Sequence, residues 1–203
     1  MTSGAIRTGI FTGGLCLAAA VASAQGPGPG GPVGIAAGLQ QQYNFLKNNL
    51  TQAAEVVPES GYGQKVGTMG EVRTYGQVIG HVANAQFGQC SGALATANPN
   101  QGTNLEDGTK SRPDLIKGLA DSFALCDKAF AAVTDQNASE MIPNGRGGQT
   151  ARAVALLGVI AHGNEMYGIG TVYQRLKGIV PPSTENQGRR GGGGGGGRGR
   201  GQQ

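Results

Sequence analysis

The sequence predicts an all-α protein, a four-helix bundle with long connections. Three observations carry this. Four stretches, about 36–57, 74–97, 111–134 and 150–177, repeat apolar residues at alternating spacings of three and four. Capping residues stand before three of them, and no segment alternates residue by residue as a strand would. Glycine is in excess, 39 of 203 residues, but the excess gathers at 26–34 and 188–201. The middle of the chain therefore has the composition of an ordinary small domain.

Residues 1–24 read as a secretory signal. Arg7 gives a positive start, and residues 9–22 form an apolar run too short for a comfortable membrane span. Ala22-Ser23-Ala24 is a small-residue cleavage pattern before Gln25. The expectation is export, to the periplasm or the exterior, with Cys16 removed and no membrane attachment after cleavage. Residues 25–35 form a Gly/Pro linker.

The first helix carries Leu39, Tyr43, Leu46, Leu50, Ala53 and Val57 in one stripe, and Pro58 ends it. Residues 58–73 are a loop. Thr74 caps the second helix, with Gln77 completing a Thr-x-x-Gln box. Val78, His81, Val82 and Ala85 then share one face, so His81 is expected to point inward. The third helix follows the polar loop 98–110. Ser111 and Asp114 form its cap, Pro113 is tolerated in the first turn, and Leu115, Leu119, Ser122, Cys126, Phe130 and Val133 make its stripe.

The fourth helix follows the loop 135–149, with Thr150 as its cap. Val154, Leu157, Ile160 and Ala161 form one apolar line. His162, Met166, Ile169 and Tyr173 form another beside it. So wide an apolar arc predicts burial on much of the helix girth. Gly178 and Pro181-Pro182 stop it, and 184–203 are expected to be a disordered Gly/Arg-rich tail. Helices of this length span roughly 33–42 Å, and an extended loop of 13–15 residues reaches about 45 Å, so one connection can cross the whole bundle.

The net charge of +4 comes from the ends: Arg7, Arg189, Arg190, Arg198 and Arg200. Setting those five aside leaves 11 basic against 12 acidic side chains. The folded part is near neutral, and no nucleic-acid partner is expected. The tail resembles arginine-glycine segments that bind RNA, a partner not expected after export; it reads as a flexible solvated segment, with cell-surface polyanions as the remaining partner class. In an oxidising compartment Cys90 and Cys126 fit either a disulfide or two separately buried thiols.

Two inward histidines on different helices, His81 and His162, fit the start of a divalent metal site. They fit equally well two core histidines with satisfied hydrogen bonds. A competent metal site wants a third protein ligand. The serines and threonines have no spare histidine for a triad, and the glycine run 191–197 lacks the strand, lysine and helix of a phosphate loop.

The segments Arg73-Thr-Tyr-Gly-Gln-Val-Ile-Gly-His81-Val-Ala-Asn-Ala and Ile160-Ala-His162-Gly-Asn-Glu165-Met166-Tyr167-Gly resemble the DinB-like superfamily of metalloenzymes. Tyr173-Gln-Arg-Leu-Lys-Gly-Ile-Val-Pro-Pro182 is similar to the end of that domain in secreted bacterial members. The likeness covers about 38–183, nearly all of the expected folded part, 36–183. It implies a DinB-like four-helix bundle with a long crossover, often a homodimer. It also implies a site of three histidines holding nickel, zinc or iron, with low-molecular-weight thiols as the substrates of some relatives. His81 and His162 match two of those ligands. The third position is Met166, whose thioether suits Cu(I) better than nickel or zinc.

Three readings of function follow. The first is an exported DinB-like protein of unassigned activity with an incomplete metal site. The second is a divalent-metal-dependent thiol transferase. The third is a non-catalytic, dimerising scaffold.

Overall fold

The computed structural model describes Met1 and residues 33–144 and 147–191. The expected signal segment after Met1, most of the expected linker and the tail beyond 191 lie outside the described residues. The helices are α1 (Ile35–Val56), the short α2 (Glu59–Tyr62), α3 (Tyr75–Leu94), α4 (Arg112–Ala132), α5 (Arg152–Leu176) and α6 (Pro182–Gly191). Two three-residue strands, β1 (Met141–Pro143) and β2 (Gln149–Ala151), pair antiparallel.

Both capping boxes form. Thr74 accepts from the Gln77 amide and Gln77 returns a bond to the Thr74 amide; Ser111 and Asp114 do the same for α4. The stripes of α1 and α4 are buried as their spacing predicts, from Leu39 to Val57 and from Leu115 to Val133. Each of α1 and α3 packs against both α4 and α5. Helices α1 and α3 are therefore diagonal partners, as are α4 and α5. The connections 57–74 and 133–151 each cross the bundle diagonally, while 95–111 joins neighbours. Among the described residues the structure is all-α apart from the hairpin and an isolated bridge between Lys65 and Thr74.

Cys90 and Cys126 form a disulfide between α3 and α4, with Cα atoms 5.1 Å apart and both residues fully buried. Beside it Ser122 donates to Gln86 Oε1 at 2.7 Å. On α1, Tyr43 and Lys47 both donate to Asp127 of α4.

Three expectations are corrected. Thr150 is not a cap: it sits in β2 opposite Ile142, and α5 begins at Arg152 without a side-chain cap. The strands were invisible because three residues are too few to show alternation. Helix α5 is not buried around its girth. Val154, Leu157 and Ile169 are exposed, and the buried side carries Leu156, Val159, Ile160, Gly163, Met166 and Tyr173. A helix apolar on two sides does not reveal which side faces inward. Finally, residues 182–191 are helical, because Pro182 opens α6 at a position where proline is tolerated.

Candidate functional site

The loop between α3 and α4 builds one wall of the site. It lies directly on α3 because Gly80 has no side chain: a Cβ there would stand 2.1 Å from the Leu105 carbonyl oxygen. The Leu105 side chain fills the space over Gly118 of α4. Asn84, one turn further along α3, accepts from the Leu105 amide and donates to Asn104 at 2.8 Å. Asn104 in turn accepts from the Glu106 amide at 2.9 Å. These contacts fix Glu106 beside His81.

Helix α5 brings the other half. Gly163 lets it close on α1, where a Cβ would meet Leu46 at 2.5 Å. His162, the preceding residue, then faces α3. The two imidazoles meet, with His81 Nε2 3.2 Å from His162 Nε2 and their planes at 53°. His81 Nδ1 is 2.7 Å from Glu106 Oε2. A carboxylate accepts only, so His81 donates from Nδ1, and in the neutral ring that leaves the lone pair on Nε2. Arg73 donates from Nε to Glu106 Oε1. Its Nη2 lies 3.4 Å from His81 Nδ1, a contact between two donors and not a hydrogen bond. Tyr173 of α5 holds the Arg73 backbone by donating to its carbonyl at 2.6 Å.

The electrostatics follow the geometry. Burial holds the His162 imidazole below the ordinary histidine range, and the neighbouring His81 and Arg73 push it the same way, against Glu165. Burial raises the Glu106 carboxyl, but its bonds from Arg73 and His81 outweigh that and leave it below the usual range. Burial also raises the Tyr173 phenol. The result is an ionised carboxylate, a histidine aligned by it, and a second histidine held neutral.

The structure thus brings two of the three proposed ligands together. His81 is not deep in the core; it is about a quarter exposed, at the edge of the α3–α5 seam. Met166 is 4% exposed and belongs to the apolar core one turn from His162. Glu106 and Arg73 carried no signal in sequence, since neither lies on a helical stripe and Glu106 is 25 residues from His81.

Two imidazole nitrogens on one zinc ion at about 2.0–2.1 Å, in tetrahedral geometry, stand roughly 3.3 Å apart. The His81–His162 separation fits that, and Glu106 supplies the carboxylate that commonly orients a ligating histidine from behind. The third position does not fit, because a buried thioether is a poor ligand for nickel, zinc or iron. Among the described residues no group of three or more His, Cys, Asp or Glu is placed to hold an ion.

No family model and no curated protein matches the sequence. Solved structures do. A DinB-like protein from Bacillus cereus superposes with a TM-score of 0.58 at 18% identity, covering 71% of this chain and 94% of that one. A conserved protein from Enterococcus faecalis gives 0.57 at 12% identity, over 71% of this chain and 98% of its own. A mutant of a mycothiol-dependent maleylpyruvate isomerase is a looser likeness, at 0.49 and 14% identity over 63% and 57%. With four helices in this arrangement and nearly the whole of two such structures covered, the chain has the fold of DinB-like proteins.

Proposed function

We propose that the protein is an exported DinB-like bundle carrying a two-histidine centre, which binds a divalent transition metal weakly and lacks the third protein ligand of a complete site. The observation that carries this is the 3.2 Å approach of the two Nε2 atoms with Glu106 behind His81. His81 and His162 would hold the ion, and Met166 would contribute core packing instead of a ligand bond. A bound ion would supply Lewis acidity and hold a thiol as thiolate near neutral pH. The chain's own part is to orient His81 through Glu106 and to keep His162 neutral, which is the state a ligand needs. The Cys90–Cys126 disulfide supports the exported setting, since such bonds persist in oxidising compartments.

Titration of the full, tag-free chain with zinc and nickel tests the reading. The expected result is one ion per chain with a Kd in the micromolar range or weaker, lost in His81→Ala and in His162→Ala. Met166→His is expected to tighten it more than tenfold. Absence of binding in both the wild type and Met166→His would overturn the proposal. If metal binds, assay with a low-molecular-weight thiol and an electrophile separates a thiol transferase from a centre without activity.

A further inference from the structure

The histidine pair stands at the head of a groove. On α3, His81, Ala85, Gly88 and Gly92 follow at spacings of four, three and four, so they share one face. On α5, His162, Gly158 and Ala155 share a face by the same rule, read in the opposite direction. Below the two histidines these residues line a single groove of about 560 Å³, with the β1–β2 hairpin along its side. The groove begins one helical turn, about 5.4 Å, from each histidine and follows α3 for roughly 10 Å to Gly92. Its volume is that of a small-molecule site.

Packing does not account for the small residues. Where a glycine lets two helices close, a Cβ has no room, as at Gly163 against Leu46. A Cβ at Gly88, Gly92 or Gly158 meets nothing within 4 Å. Glycine in a helix interior weakens the helix, so these three keep a space open at the expense of α3 and α5.

The walls specify the occupant. Among the described residues none that lines the groove is charged. A charged molecule would give up hydration there without a counter-charge, so the groove selects a neutral one. Two of its amides are already engaged: Asn84 Oδ1 accepts from the Leu105 amide and Asn144 Oδ1 from the Gly148 amide. Gln89 differs. Its Oε1 is buried and has no donor among the described residues. A buried acceptor without a donor is costly, and the last torsion of a glutamine turns easily. An N–H or O–H group lying in the groove would satisfy that oxygen.

We propose that the groove is the ligand channel of the two-histidine centre. It takes the body of an uncharged, mostly apolar small molecule that donates one hydrogen bond to Gln89, and it directs the far end of that molecule to His81 and His162. What the groove serves rests on the two-histidine reading; what it holds rests on the groove itself.

Acetanilide, neutral and apolar with a single N–H, is the probe, and N-methylacetanilide, which has no donor, is its control. Amide NMR of the full chain without metal follows both. The expected result is saturable shifts at Gly88, Gly92 and Gly158, with acetanilide bound about threefold tighter than the control or better. Gln89→Leu should abolish that preference. Gly158→Leu fills the groove from an open position and should weaken acetanilide more than tenfold, with unchanged circular dichroism. No saturable shift at these glycines up to the solubility limit overturns the proposal. Equal binding of the two probes by the wild type overturns it too, as does a preference that survives Gln89→Leu or binding that survives Gly158→Leu. Zinc titration of the same samples keeps the two readings apart. A chain that binds zinc but refuses acetanilide overturns the groove, and a chain that binds acetanilide but refuses zinc overturns the centre it is assigned to.

Discussion

Helix α3 makes two seams of opposite character. Against α4 it is closed: Cys90 is bonded to Cys126, Gln86 and Ser122 are hydrogen-bonded beside it, and all four are buried. Against α5 it is polar and partly open, with His81 and His162 facing each other and Glu106 and Arg73 at the rim. One helix thus carries stability on one side and a titratable centre on the other. The difference teaches how a small bundle accommodates partly desolvated imidazoles. The covalent link lies in one seam of α3 and the partly desolvated imidazoles in the other.

The largest effect should come from the closed seam. The double change Cys90→Ala and Cys126→Ala removes a cross-link over 36 residues of sequence and should cost about 3–4 kcal/mol. Urea unfolding checks it, and a loss below about 1 kcal/mol would mean that packing, not the bond, closes this seam. Next is the support of the open seam. Gly80→Ala forces the 98–110 loop off α3 and should cost about 1–3 kcal/mol. It should also release Glu106, visible as a change in the His81 ring signals by NMR; an unmoved His81 would show that the loop does not position the site. Glu106→Gln removes the charge but keeps the shape, and should cost about 1 kcal/mol near neutral pH, since the carboxylate is only a quarter exposed.

The smallest effect is the pH dependence, and its sign is fixed by two shifts. The fold holds His162 below its ordinary value, so the unfolded chain takes up a proton there first. Stability therefore falls as pH drops through the ordinary histidine range, and levels below the folded value. Glu106, also depressed, adds stability above the usual carboxylate range that is lost as pH falls through its folded value. Urea midpoints measured from pH 7 to pH 3 should decline in both windows. His162→Gln should flatten the upper one and Glu106→Gln the lower. A flat wild-type profile would remove the contrast between the seams.

Much of the frame was legible. Each of α1 and α4 has one apolar stripe, so its spacing fixed its inward side. Thr74/Gln77 and Ser111/Asp114 marked helix starts that the structure keeps. Helix α5 was misread because Val154, Leu157, Ala161 and Ile169 continue the apolar pattern on a side that the bundle does not cover. Of the site, His81 and His162 could be picked out as rare residues on helices. Glu106 could not, because a loop carboxylate gains its role from where the chain is held, by Gly80 and Asn84, and not from any period.

By itself the sequence determined four apolar-periodic helices, the capped starts of two of them and two histidines on two of them. These are local properties, set by side chains three and four residues apart. Tertiary structure alone decided that Cys90 reaches Cys126, that Glu106 stands behind His81, that the two Nε2 atoms converge, and that Met166 belongs to the core. Each of those depends on which helix faces come together across long connections, and that is settled by the packing of the whole bundle at once.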